Sequence, residues 1–164
     1  MSELKRLAAE LAARLRQRGE TIAVSESSAG GLVSAALLAE AGASAYFMGG
    51  AVVYTAAARD GLLGITPAAM DGLRSASEPY AQLLASTTRQ RLGSTWGLAE
   101  TGAAGPSGNR YGDPAGHMCC AVSGPRDLVR TVETGSADRA ANMETFAATA
   151  LALVLEAVSG AEPA

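Results

Sequence analysis

Leu4, Leu7, Ala8, Leu11, Ala12 and Leu15 recur at three- and four-residue intervals with charged residues between them. That spacing places them on one face of a helix and predicts an amphipathic helix over residues 2–18, stopped by Gly19. Thr21 to Ser25 is a short apolar run rich in β-branched residues, bounded by glycine-containing segments, and reads as a buried strand. Leu32 to Glu40 returns to a helix of small and apolar residues. Ala45 to Tyr54 reads as a second strand, in which Gly49-Gly50 suggests a bulge or a close backbone approach. A short helix is expected over residues 56–63, with Pro67 opening a further turn. Ser77 is a good N-cap for a helix running to about Leu92, with Glu78 near its positive end. Thr95 to Ala99 reads as a third strand, followed by a long turn-rich loop over 101–115. Gly116 to Val122 and Leu128 to Thr134 form a hairpin around Ser123-Gly124-Pro125-Arg126. A last helix covers about 138–158, with Met143, Phe146, Ala147, Ala150, Leu151, Val154 and Val158 on one face.

Strands alternate with helices over the first hundred residues, which implies right-handed crossovers and a parallel sheet; the closing hairpin adds antiparallel pairing. The expected fold is a single α/β domain over residues 1–164, a three-layer α/β/α arrangement around a mixed, largely parallel sheet of about five strands. No linker, repeat or charge block divides it.

Composition adds limits. The chain has 164 residues, 48% apolar and 18% charged, which suits one folded domain with a full core. Its net charge of −3 argues against a general nucleic-acid binder. No apolar run approaches a membrane-spanning length and the charged N-terminal helix has no signal-peptide core, so a cytoplasmic protein with no membrane partner is expected. Cys119 and Cys120 are adjacent, a poor disulfide pair, and no second cluster completes a zinc site. No metal and no cofactor are expected. Alanine-rich helices suit self-association, so a homo-oligomer is expected.

Two glycine-rich segments carry the candidate chemistry. Glu26-Ser27-Ser28-Ala29-Gly30-Gly31 leaves the first strand and opens a helix, and Glu100-Thr101-Gly102-Ala103-Ala104-Gly105-Pro106 leaves the third. Parallel strands put both on the carboxyl edge of the sheet, where ligands of open α/β sheets bind. The helix N-terminus after the first loop offers main-chain N–H groups to a phosphate or carboxylate, and Gly30 and Gly31 let it approach. A small anionic ligand between the loops is the expected partner. His117, the only histidine, lies in a predicted strand and reads as structural; a Cys119–His117 nucleophile pair ranks low because neither residue lies in a ligand loop. Asn109, Arg110, Tyr111 and Asp113 sit in the long loop, either as specificity residues or as a solvated tip.

The segments VSESSAGGLVSAALL, GGAVVYTAAARDGLLGI and GLAETGAAGPSGNRYGDPAGHMCCAV, in this order and spacing, resemble the C-terminal domain of the competence/damage-inducible protein CinA, over about Leu4 to Val158. The chain looks like a stand-alone form of that domain. The resemblance implies nicotinamide mononucleotide deamidation, in which the carboxamide is hydrolysed to the acid plus ammonia by a loop serine helped by a lysine. Ser27 matches the serine, Tyr54 the tyrosine ending the second strand, Thr101, Gly102, Gly105 and Pro106 the second loop, and Arg139 the first basic residue before the last helix.

The departures cluster at the site. The family's YSNEAK reads YTAAAR, so Arg59 stands in place of the lysine, and an arginine stays protonated and cannot be a general base. It can still clamp a phosphate or carboxylate. The family's Cys-Thr is Ser28-Ala29, Asn142 replaces a second arginine, and Glu100 replaces an apolar residue. Another base for Ser27 is sought in Tyr54, if Arg59 lies beside it, or in Glu26 or Glu100, which equally suit helix capping or ion pairing with Arg59. The expected function is a CinA-like amidohydrolase with Ser27, Tyr54 and Arg59 as catalytic residues and Glu26, Ser28, Gly30, Gly31, Glu100, Thr101, Gly102, Gly105, Arg110 and Arg139 around the ligand. The alternatives are a non-catalytic nucleotide or metabolite binder that has lost its base, and a structural protein with a vestigial pocket.

Overall fold

A computed structural model describes residues 1–164. The elements run α1 (Glu3–Arg18), β1 (Ile22–Glu26), α2 (Leu32–Leu38), β2 (Phe47–Val52), α3 (Ala56–Leu63), α4 (Glu78–Leu92), β3 (Trp96–Ala103), β4 (His117–Ser123), β5 (Leu128–Glu133) and α5 (Arg139–Gly160), with single 3-10 turns at Ala43–Ala45 and Ala68–Met70. The termini follow the chemistry of their caps. Ser2, Thr55, Ser77 and Asp138 accept a main-chain N–H at the starts of α1, α3, α4 and α5.

The five strands form one sheet in the order β2-β1-β3-β4-β5. β1 pairs in parallel with β2 and β3, whereas β3, β4 and β5 are joined antiparallel. The sheet is mixed, as expected, and β3 is longer than its pattern predicts. Thr101, Gly102 and Ala103 pair with Cys119, Met118 and His117, so the antiparallel partner draws the start of the second glycine segment into the strand. That segment becomes a loop only from Ala104.

Side-chain alternation along the strands sorts two cores. Ile22, Val24, Leu98, Met118, Cys120 and Val122 join residues of α1, α2 and α5 in a cluster of 25 buried residues on one face. Ala99, Cys119 and Ala121 join Leu63, Tyr80, Leu84 and Ala85 in a cluster of 11 on the other. This is the three-layer arrangement. α5, with 22 residues, is long and apolar enough by composition to cross a membrane, which the reading of the apolar runs did not anticipate. Phe146, Ala147, Ala150, Leu151, Leu153, Val154, Ala157 and Val158 of α5 are buried in the larger core.

α4 lies close on β3 because residue 97 has no side chain. A Cβ there would run into the Ala85 carbonyl oxygen and approach Arg89 Cβ to 2.8 Å. Both obstacles belong to a packed helix, so Gly97→Ala is expected to destabilise the chain by about 2 kcal/mol, read as a lower urea midpoint at unchanged slope.

Candidate functional site

β1 and β3 are neighbours in the sheet, and each delivers a glutamate to the same end. Glu26 is 1% exposed. Its Oε1 accepts the N–H groups of Gly31 (3.1 Å) and Val33 (2.9 Å), and its Oε2 accepts that of Ser34 (2.9 Å). Glu100 is equally buried. Its Oε1 accepts the Ser27 and Ala29 N–H groups, both at 2.6 Å, and its Oε2 accepts the Ser28 hydroxyl at 3.0 Å. Burial pushes the Glu100 carboxyl up to about 7; the bonds from Ala29, Ser27 and Ser28 pull it down and the neighbouring Glu26 adds to the rise.

This corrects the expected anion site at the helix N-terminus. At the start of α2 the N–H groups of Gly31, Val33 and Ser34 are taken by Glu26 and that of Leu32 by the Ala29 carbonyl, so Glu26, Ser28, Gly30, Gly31 and Glu100 shape the first loop from behind and do not line the cavity in front of it. Of the three readings open for the glutamates, the geometry is that of capping; neither forms an ion pair with Arg59, and neither carboxylate is hydrogen-bonded to the Ser27 hydroxyl that a base would serve. Gly30 and Gly31, at φ 66° and 101°, supply the left-handed turn that folds the loop back over the two carboxylates.

The cavity has a volume of about 330 Å³, and Ser27, Tyr54, Arg59, Thr101, Gly102 and Arg110 all line it. Gly105 and Arg139 line an adjoining groove of about 230 Å³ that shares Tyr54, Gly102 and Asn109 with it. Ser27 is the serine of the first loop that lines the cavity, and its hydroxyl makes no hydrogen bond within the chain. The Tyr54 hydroxyl accepts from Arg139 Nη2 at 3.1 Å, and Arg139 Nη1 donates to the Gly105 carbonyl at 2.5 Å. Arg139, rather than Arg59, is thus the partner of Tyr54. Arg59 instead lies over the Tyr80 ring, 5.4 Å from its centroid, and donates from Nη1 to Ser75 Oγ at 3.2 Å.

The strap before α4 escaped the sequence reading. Ser75, Ala76 and Tyr80 also line the cavity. Ala76 is buried at φ 57°, the one non-glycine residue in the left-handed region. Strong bonds hold it there: its N–H donates to Thr101 Oγ1 at 3.1 Å, and its carbonyl lies 2.9 Å from His117 Nε2 and 3.6 Å from Cys119 Sγ. His117 thus braces the strap through its Nε2. The Cys119–His117 contact is 3.8 Å, but burial pushes the Cys119 thiol up, which disfavours its nucleophilic thiolate.

The long loop is built on Asp113. Asn109 Oδ1 accepts the N–H groups of Tyr111 (3.0 Å) and Asp113 (3.1 Å), and Arg74 binds the Asp113 carboxylate at 2.8 and 3.3 Å. Burial would raise Asp113, but the Arg74 and Asn109 bonds outweigh it and hold the carboxyl below its usual value. Arg74 (5.1 Å) and Arg110 (5.2 Å) both lie over the Tyr111 ring, and the Arg110 hydrogen bond draws its hydroxyl below the ordinary range. Asn142, buried behind the second loop, donates to the carbonyls of Ala104 and Ser136 at 2.8 Å each. It fastens the loop from behind the groove.

Residues 4–158 match the family model of the CinA C-terminal domain. The chain is 44% identical over 111 residues to a CinA-like protein of Prochlorococcus marinus (strain MIT 9313), covering 68% of this chain and 26% of that protein. It is 39% identical over 138 residues to a CinA-like protein of Anaeromyxobacter dehalogenans, covering 83% and 34% respectively. It thus spans between about a quarter and a third of the length of these relatives. Among solved structures, the competence damage-inducible protein A (ComA) from Klebsiella pneumoniae superposes with a TM-score of 0.89 at 26% identity, over 97% of this chain and 99% of that one. The competence or damage-inducible protein from Enterobacter asburiae superposes with a TM-score of 0.88 at 28% identity, over 96% and 99%.

Proposed function

The chain belongs to the CinA C-terminal domain family, and from that premise we propose that it hydrolyses the carboxamide of a pyridine nucleotide such as nicotinamide mononucleotide, with Ser27 as nucleophile. The observation that carries this reading is the division of labour in the first loop. Ser28 is bound to Glu100, whereas the Ser27 hydroxyl is unbonded and Ser27 lines a cavity whose charged lining residues are Arg59 and Arg110.

In this reading the Ser27 oxygen attacks the carboxamide carbon. The carbonyl π electrons move onto its oxygen, where Arg59 and Arg110 face the developing negative charge. The C–N bond then breaks, and the proton given up by the Ser27 hydroxyl passes to the departing nitrogen, which leaves as ammonia. Water cleaves the resulting serine ester, giving the carboxylate and restoring the hydroxyl. Arg59 takes the electrostatic role and not the proton. A cytoplasmic setting belongs to the same reading, since the substrate is a cytoplasmic nucleotide.

Ammonia release from nicotinamide mononucleotide by the purified chain, run beside a calorimetric titration, tests the proposal. Release that saturates with substrate is expected. Binding without release would instead assign the chain as a nucleotide binder, and neither signal would remove nicotinamide mononucleotide as the ligand.

A further inference from the structure

The two guanidiniums in the cavity lack an acidic partner. Arg59 engages Ser75 Oγ and the Tyr80 face, and Arg110 engages the Tyr111 hydroxyl at 3.3 Å and the Tyr111 face. Neither lies within ion-pair distance of a carboxylate, although the chain carries more acidic residues (16) than basic ones (13). No acidic residue lines the cavity. Each arginine has five N–H donors, of which the protein uses one. Stacking on a tyrosine fixes the plane of each guanidinium and lowers the entropy lost when the fork closes on a ligand.

Two like charges in one partly enclosed space repel each other, and an entering anion relieves that repulsion. A neutral carboxamide cannot do this. A carboxylate brings both the charge and the planar pair of acceptors that a guanidinium fork matches.

We propose that Arg59 and Arg110 form a carboxylate-binding pair beside Ser27, so that the cavity holds an aromatic carboxylate in preference to the corresponding carboxamide. The inference rests on the same cavity as the hydrolase reading but does not depend on turnover. Where both hold, the acid formed at Ser27 is retained and its departure limits the cycle.

The test uses nicotinate and nicotinamide, two probes of one shape that differ in charge, titrated into the full chain at low salt and followed through its tyrosine side-chain NMR signals. Nicotinate is expected to bind about tenfold tighter or more, the ratio one charge-assisted pair supplies. The preference is expected to shrink in high salt. The double variant Arg59→Gln/Arg110→Gln is expected to lose it while keeping the parent's circular dichroism and melting temperature. Arg59→Lys, which keeps the charge without the fork, is expected to retain part of it. Equal affinities, tighter nicotinamide binding, no saturable nicotinate shift, or a preference that survives the double variant would overturn the proposal. Ammonia release separates the two readings: a chain that prefers nicotinate without releasing ammonia keeps the carboxylate pair and loses the hydrolase. A chain that releases ammonia with no preference does the reverse.

Discussion

Ser27→Ala is expected to lower ammonia release from nicotinamide mononucleotide by about a thousandfold or more, the loss that follows removal of a covalent nucleophile. Ser28→Ala is expected to retain most of the activity. The two serines are adjacent, and the sheet separates their roles. Ser28 is 5% exposed and its hydroxyl donates to Glu100, so its removal costs a buried hydrogen bond, about 1–2 kcal/mol of stability. Ser27, which lines the cavity, uses its main-chain N–H for the same carboxylate and leaves its hydroxyl without an internal partner. Its truncation touches no internal bond, and the melting temperature is expected to stay at the parent value. Steady-state ammonia assays on both variants decide the matter: substantial activity in Ser27→Ala, or equal losses in the two, would remove Ser27 as nucleophile.

Much of this arrangement was legible because local rules act on short stretches of chain. The 3.6-residue period of Leu4 to Leu15 and the left-handed Gly19 after it delimit α1 almost to the residue. Ser77 caps α4 as its side chain requires. The cavity collects Ser27, Tyr54, Arg59, Thr101, Gly102 and Arg110 because the ends of neighbouring parallel strands converge on one edge of the sheet. The misreadings came from pairings that no window of sequence contains. β3 runs on through Thr101 to Ala103 because β4 lies antiparallel beside it. The loop N–H groups are filled because β1 and β3 are adjacent and each ends near a glutamate, a coincidence of two residues 74 positions apart. The strap at Ser75 and Ala76 carries no signature, since an alanine in the left-handed region is held there by Thr101 and His117 rather than by its own preference.

Glu100→Gln is expected to be about as stable as the parent at pH 4.5 and more stable by about 3 kcal/mol at pH 8. Glu100 is surrounded by Glu26 from β1, the first-loop groups of residues 27–29, and its cross-strand partner Cys120, whose thiol burial pushes up to about 12. No cation is among them. Desolvation therefore raises the carboxyl from 4.5 to about 7 in the folded chain. Between those two values the folded state binds a proton that the unfolded state has released, so the contribution of Glu100 to stability falls as pH rises. It is fully present below about 4.5, is lost across the interval, and levels off above about 7. The shift corresponds to about 3 kcal/mol. Glutamine has the same shape: its carbonyl oxygen accepts from the Ser27 and Ala29 N–H groups and its amide donates to Ser28 Oγ, with no charge to bury. Urea unfolding of the two proteins from pH 4.5 to 8 checks this through the difference between them, in which the other titrating groups cancel. A difference that stays flat with pH, or that grows toward acid, would show that Glu100 is not the group taking up the proton. The same carboxyl holds the main-chain N–H of Ser27, so its titration near neutral pH reaches the proposed nucleophile, and the pH profile of ammonia release is expected to carry an inflection near 7 that Glu100→Gln removes.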